Sequence, residues 1–306
     1  MANWDIIAIG GGAAGLSAAT AAAGAGLSCL LIDRMGGGGE LMNLGPLHDI
    51  DQPLTGPDLM ARLQEEAIAA GAELCIAEVT GLCPEPTGWR IVTDDATHTA
   101  RAVILAIGLA AGTLGLDNEH FFEGQGLSHC AFCDGPLYVG QPVAVAGTDR
   151  WAILEAQELA ANGSQVTLIA QGHPAPTVDN VAVISGRIVA LEGTNGLASV
   201  LVQPNDGDVP RRLPTQVVFV QTGRRPVLNF APAILARDAD GRPIADAALR
   251  TNLPGLFAAG DARAGSPRTL AAAMEDGRRA AASARNALSF PCDPNTPGDP
   301  LVKGAA

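Results

Sequence analysis

Residues 6–15 read IIAIGGGAAG, an apolar run that stops at three glycines and restarts as alanine. An apolar run of this length is a buried strand, and the alanine-rich stretch 14–25 after it has the composition of a helix. Gly10, Gly12 and Gly15 stand at the junction in the order G-x-G-x-x-G. Each has a physical reason to be glycine. The first makes the tight turn, the second lets the backbone reach a pyrophosphate, and the third lets helix and strand pack closely. The helix start, with Ala13 and Ala14, then turns its amides toward the phosphates. CLLID (29–33) is the next strand, and it ends at Asp33. That is about twenty residues past the turn, where an acid accepts from a ribose hydroxyl. Strand, turn, helix and acid in this register spell a dinucleotide-binding unit.

Outward from this unit, strand and helix patterns alternate, which predicts an α/β fold with parallel sheets and crossover helices. GGGGELMNLGPL (36–47) is too rich in glycine for a regular element and suits close approach of backbone to a ligand. Residues 54–74 read as an amphipathic helix closed by Gly71, and 89–94 and 101–108 as strands. A second unit spans 117–244, with VAVAG (143–147) as strand, WAILEAQELAANG (151–163) as helix and SQVTLIA (164–170) as strand. ASVLVQ (198–203) and QVVFVQTG (216–223) are further strands of that unit. Near 245 the first unit resumes, with LFAAGDA (256–262) and a helix over 268–288. The expected organisation is one domain, 1–116 and 245–290, interrupted by another, 117–244. The segment 291–306, rich in Pro, Gly and Asp, is read as an extended surface arm placed to cover a ligand.

A chain of 306 residues suits two such domains. Its formal charge of −13 argues against nucleic acid and against an anionic membrane, since both attract a basic face. No apolar stretch is long enough to span a bilayer, and Met1–Asp5 carries no basic leader region. The cysteines are scattered except for one close pair, so a cytoplasmic protein is expected rather than a disulfide-stapled secreted one. Cys29, Cys75, Cys83 and Cys292 are read as packing or surface residues without a role.

The close pair lies in HCAFCDGP (129–136). Cys130 and Cys133, with two residues between them at a helix start, can close a small redox disulfide whose thiolate the positive helix end stabilises. A zinc site needs a second ligand pair at metal spacing, and the sequence offers none. Asp134 beside the pair can relay a proton to a departing thiol or cap the helix. Gly260-Asp261 closes another strand ahead of a helix, where Asp261 can bind a ribityl hydroxyl or serve as turn chemistry.

Together the motifs GGGAAG (10–15), GGEL (38–41), LTGPDLM (54–60), ILAIG (104–108), CAFCDG (130–135), QTGRRP (221–226) and FAAGD (257–261) resemble the low-molecular-weight thioredoxin reductases, in family order and over nearly the whole chain. The resemblance implies two Rossmann-like, three-layer domains. A domain that binds FAD is interrupted by a smaller pyridine-nucleotide domain carrying the disulfide, and the chain forms a homodimer. It also implies that Gly10, Gly12, Ala13, Ala14, Gly15, Asp33, Arg34, Gly39, Glu40, Leu41, Ala106, Gly108, Gly260, Asp261, Arg268, Thr269 and Leu270 contact FAD. Glu40 stands where the family has glutamine. Cys133 is implied to face the isoalloxazine, Cys130 to exchange with the substrate disulfide, and Asp134 to be the acid.

One site departs from the family. Its NADPH site uses a glycine-rich turn with an alanine after it, then a basic cluster beyond the next strand. Here the turn is Gly147-Thr148-Asp149-Arg150-Trp151-Ala152, and LIAQGHPAP (168–176) carries only His173. Asp149 puts a side chain and a carboxylate where the pyrophosphate lies, each costing on the order of a kcal/mol or more. A helix-sized stretch before VAVISGRIVALEG (181–193) is also missing, and Trp151 is expected to fill the void rather than to stack on a ligand. The expectation is a degenerate site without NADPH; a divergent site anchored by Arg150 is the alternative. The electron donor is then ferredoxin, flavodoxin or a second flavin in the vacated pocket, and the acceptor a thioredoxin-like protein or small disulfide. The rival functions are a dithiol oxidase using oxygen, for which His129 beside Cys130 speaks, and a flavoprotein redox sensor.

Overall fold

The structure is a computed structural model and describes residues 3–43, 47, 54–171 and 177–289. The proposed arm at 291–306, His173 and Cys292 lie outside the described residues. In chain order, β1 (Asn3–Ile9) runs into α1 (Ala13–Gly24) and β2 (Cys29–Asp33). Next come α2 (Gly56–Ala69), β3 (Glu73–Ile76), β4 (Val79–Glu85), β5 (Gly88–Thr93) and β6 (Thr97–Leu105). The apolar stretches of β1 from Ile6 to Ile9 and of β2 from Cys29 to Ile32 are buried, as expected of inner parallel strands. Thr55 opens α2 with a capping box, its hydroxyl accepting from the Asp58 N–H and the Asp58 carboxylate from the Thr55 N–H. The helix stops at Ala69, where Gly71 turns left-handed at φ +98°. The helix expected over 54–74 is therefore shorter, and its last residues begin β3, an edge strand that helical periodicity hides.

β7 (Ala110–Ala111) and β8 (Leu127–Ser128) lead to α3 (Ala131–Asp134), followed by β9 (Pro142–Gly147), α4 (Arg150–Ala161) and β10 (Gln165–Ala170). The remainder is β11 (Ala182–Glu192), β12 (Ser199–Pro204), β13 (Arg211–Pro214), β14 (Val217–Gln221), β15 (Arg224–Arg225), β16 (Leu256–Ala258) and α5 (Leu270–Ser289).

Two sheets share one plan. The first runs β3-β2-β1-β6-β5-β4, with β16 also paired to β6; the second runs β13-β12-β11-β10-β9-β14-β8. In each, a parallel set is extended by an antiparallel meander, β6-β5-β4 in the first and β11-β12-β13 in the second. In each, the chain steps outward from a central strand and returns on its other side, so order reverses between β1 and β6 and again between β9 and β14. Ligands of such sheets bind outside the carboxyl ends of the strands at that reversal. The architecture is α/β and Rossmann-like twice over.

Apolar side chains fill both faces of each sheet. Leu228, Ala231, Leu235 and Leu253 join the core of the first sheet with Ile7 and Leu105, although 228–235 lies within the stretch read from sequence as the inserted unit. Leu114 and Leu116 pack on the core of the second. Between these crossings the short antiparallel pair β7–β15 forms a separate two-stranded ribbon. Among the described residues no helix is long and apolar enough to cross a membrane.

Candidate functional site

The first reversal gathers most residues expected to hold the dinucleotide. Gly10 has φ +105°, and a Cβ there would run into the Ala106 carbonyl at the end of β6. A Cβ on Gly15 would run into the Gly10 carbonyl, so helix and strand touch backbone to backbone. Gly12 is different: nothing lies within 4 Å of its Cβ position, which leaves open space on the ligand side. It is also the N-cap of α1 and offers no side chain to the helix, so α1 keeps its first amides without an internal side-chain acceptor. That arrangement fits a pyrophosphate.

Asp33 closes the adjacent end. Its Oδ2 accepts from the Gly11 N–H at 2.7 Å, and its Oδ1 from the Met35 and Gly37 N–H groups, both at 2.8 Å. An ionised carboxylate has about four lone-pair positions, so capacity for a ribose hydroxyl remains. Arg34, Gly39 and Glu40 are exposed along the loop that follows, while Leu41 is buried. Ala106 is buried and Gly108 half-buried after β6.

From β16 come Gly260 and Asp261. A Cβ on Gly260 would press on the Ala14 side chain at 2.8 Å, which places it against the start of α1. Asp261 accepts from Ser266 Oγ at 3.2 Å, and burial pushes its carboxyl above the ordinary aspartate range. Arg268 has a left-handed φ of +55°, and Thr269 accepts at its hydroxyl from the Ala272 N–H as α5 begins at Leu270. Two residues here, Asp276 and Arg263, carry no sequence motif. Asp276, 2% exposed, accepts from the Gly260 N–H at 3.2 Å and from Arg263 Nε at 2.5 Å and Nη2 at 3.2 Å. An acid on the alanine face of α5 was the only hint in the sequence. Arg224 of β15 pairs with Glu40, which gives this glutamate a cationic partner.

The second reversal has the same geometry and a different chemistry. A Cβ on Gly147 would run into the Gln221 carbonyl at the end of β14, as Gly10 does with Ala106. Asp149 then caps α4, and its Oδ1 accepts from the Ala152 N–H at 2.9 Å. A carboxylate of the chain itself occupies a helix-terminal amide. Glu155, six residues on, receives the Gln221 side-chain amide on both oxygens at 2.9 and 3.0 Å. Burial, with Glu158 and Asp149 nearby, pushes Glu155 up to about 7 against the lowering effect of Gln221. Trp151 does not fill a void: its side chain is 61% exposed, because the apolar face of α4 is carried by Ala152, Ala156 and Leu159 instead.

The redox pair lies beside this crevice. Cys130 and Cys133 form a disulfide with Cα atoms 5.4 Å apart, Cys130 half-buried and Cys133 exposed. The Cys133 N–H donates to Cys130 Sγ at 3.1 Å, the amide that favours a thiolate at Cys130 when the bridge opens. α3 is a single turn, so the benefit comes from this one amide rather than from a long helix dipole. Asp134 Oδ2 accepts from Ser128 Oγ at 2.7 Å, and Ser128 Oγ accepts from the Cys130 N–H at 3.2 Å. Gln221 also reaches the His129 carbonyl at 3.4 Å. Among the described residues no cluster of His, Cys, Asp or Glu could hold a metal.

Residues 4–277 match the family described as pyridine nucleotide-disulphide oxidoreductase. The thioredoxin reductase of Treponema pallidum is 32% identical over 92% of this chain and 96% of its own. The crystal structure of Lactococcus lactis thioredoxin reductase superimposes with a TM-score of 0.80 at 27% identity, covering 92% of this chain and 98% of that one. A ferredoxin-flavin thioredoxin reductase of Clostridium acetobutylicum gives a TM-score of 0.54 at 26% identity, covering 94% and 99%. Two glycine-turn crevices, a Cys-x-x-Cys disulfide between them in sequence, and these likenesses lead to one assignment: the chain belongs to the pyridine nucleotide-disulphide oxidoreductase family, among the low-molecular-weight thioredoxin reductases, as an FAD-dependent disulfide oxidoreductase.

Proposed function

We propose that this enzyme carries electrons from FAD through Cys130–Cys133 to a thioredoxin-like protein or small disulfide, and that it does so without NADPH. The observation that carries the second half is Asp149. Its carboxylate sits on the α4 amide that a pyrophosphate needs, whereas α1 is capped by a glycine with open space above it. Glu155 adds a second acid to the crevice, and the sequence at the end of β10 and beyond it, 168–176, carries His173 and no arginine or lysine. The donor is then reduced ferredoxin, flavodoxin or a second flavin seated in the crevice. A relative described as a ferredoxin-flavin thioredoxin reductase supports that reading. We place the domain boundaries at the β7–β15 ribbon, expect a homodimer, and assign the enzyme to the cytoplasm.

When bound and reduced by its donor, FAD would supply two electrons to the disulfide. In this reading Gly10, Gly12, Ala13, Ala14 and Gly15 hold its pyrophosphate, Asp33 its ribose, and Asp261, Arg268, Thr269 and Leu270 the flavin side. Cys133 would face the flavin. The Cys130 thiolate, stabilised by the Cys133 N–H, attacks the substrate disulfide, and Asp134 protonates the departing sulfur. Cys133 then attacks Cys130 Sγ, releasing the second substrate thiol and restoring the bridge.

A dithiol oxidase is the second reading, and His129 favours it. Its Nδ1 is buried without a partner among the described residues, one position before Cys130, while its Nε2 faces Glu123 at 3.2 Å. One experiment separates the readings: count flavins per chain, then add stoichiometric NADPH without oxygen. The expected result is no bleaching, with two flavins per chain pointing to the filled crevice and one to a protein donor. Rapid bleaching overturns the proposal. Reduction by a dithiol followed by fast reoxidation in air selects the oxidase.

A further inference from the structure

We propose that Ser128 is a positioning residue for the disulfide exchange, acting through Asp134; this rests on the reading of Asp134 as the acid. Ser128 ends β8, which pairs with β14, and it is only 6% exposed. Its single hydroxyl bridges two parts of the site. It donates to Asp134 Oδ2 at 2.7 Å, close to the ideal length for such a bond, and accepts from the Cys130 N–H at 3.2 Å. The Asp134 N–H donates to the Cys130 carbonyl at 3.1 Å, so acid and sulfur-bearing residue are clasped from both sides. A buried hydroxyl on a strand loses little freedom when it holds this geometry, whereas Asp134, on a one-turn helix, has no other side-chain hydrogen-bond partner among the described residues to fix its rotamer.

The step at stake is sulfur for sulfur. The Cys130 thiolate forms a bond to one substrate sulfur while the substrate S–S bond breaks. The electron pair leaves on the second substrate sulfur, and the proton on Asp134 moves there. Ser128 keeps the carboxyl turned toward that exchange and is neither oxidised nor reduced. The demand for a proton depends on the leaving thiol: an alkyl thiolate needs one, while an aryl thiolate of low pKa leaves unaided.

This difference makes the test. Holoenzyme reduced with dithionite is mixed without oxygen with bis(hydroxyethyl) disulfide or with dithiobis(nitrobenzoate). Loss of enzyme thiols or release of the coloured aryl thiolate is followed over a single turnover. Ser128→Ala is expected to slow the alkyl disulfide about tenfold and to leave the aryl disulfide within about twofold, a fraction of the effect of a full general acid. Ser128→Thr, which keeps the hydroxyl, restores the alkyl rate. In an Asp134→Asn background Ser128→Ala adds nothing. If Ser128→Ala slows both disulfides alike, or neither, the proposal fails. If Asp134→Asn itself leaves the alkyl rate unchanged, the acid role of Asp134 falls and that of Ser128 with it. If Asp134→Asn slows it and Ser128→Ala does not, only the role of Ser128 falls.

Discussion

Asp149 is where one residue decides which chemistry a fold can host. Its carboxylate satisfies a helix amide that would otherwise wait for a ligand. Asp149→Ala should therefore cost about 1 kcal/mol of stability, the usual loss of a cap, measured by chemical denaturation. Glu155 gives a pH signature. Its folded-state value, about 7, lies above its ordinary 4.5 because of burial. Its contribution to stability is thus complete in acid and is lost as pH rises through about 7. The loss is on the order of 2 kcal/mol, below the figure for full burial because part of the carboxyl meets solvent. Glu155→Gln should flatten the fall in melting temperature between about pH 5 and pH 8. Cys29 shows the opposite of a reactive thiol, since burial pushes it up to about 12. Iodoacetamide should modify Cys29 only after unfolding, as peptide mapping of native and denatured protein will show.

At the scale of elements, α5 is held to the first crevice by a buried charge pair and by a glycine. The side chains of Asp276 and Arg263 are both largely buried, and Asp276, held by Arg263, fixes the Gly260 N–H. Asp276→Ala strands Arg263 in the interior and should cost about 3–5 kcal/mol, with loss of flavin on gel filtration. Gly277 sits where a Cβ would run into the Ala14 carbonyl, so α1 and α5 approach at backbone distance. Gly277→Ala forces the two helices apart and should destabilise by about 1–3 kcal/mol in the same denaturation experiment. These devices explain what the sequence made legible. Gly10, Gly12 and Gly15 could be read because the turn imposes its demand within six consecutive residues. Asp276 could not, because its partner Arg263 lies 13 residues away and no periodicity links a loop arginine to a helical acid.

Across the whole molecule, the same plan appears twice and is used twice differently. Both sheets reverse their order beside a glycine turn, yet α1 begins with a bare glycine and α4 with an acid. On the proposed reading, electrons reach the flavin from a donor other than a nicotinamide. An excess of ferredoxin reduced without oxygen should bleach the flavin where NADPH does not. Arg224 lies on the β7–β15 ribbon that separates the two cores, and it pairs with Glu40 of the loop after β2. Glu40→Gln should loosen that tie, seen as faster proteolysis at the ribbon than in the parent enzyme.

The sequence by itself determined both glycine turns, the strands β1, β2, β9, β10 and β14, the disulfide pair and the acid in place of a phosphate-binding glycine. All of these are local: a dihedral angle, an apolar run or a charge decides them within a few neighbours. Tertiary structure alone decided the edge strands β3 and β4, the return of Leu228–Leu235 to the first core, and the exposure of Trp151. It alone also joined Ser128 to Asp134 and Gln221 to Glu155, the latter pair 66 residues apart. Such pairs are set by which strand ends meet at a sheet reversal, and a linear chain carries no mark of that meeting.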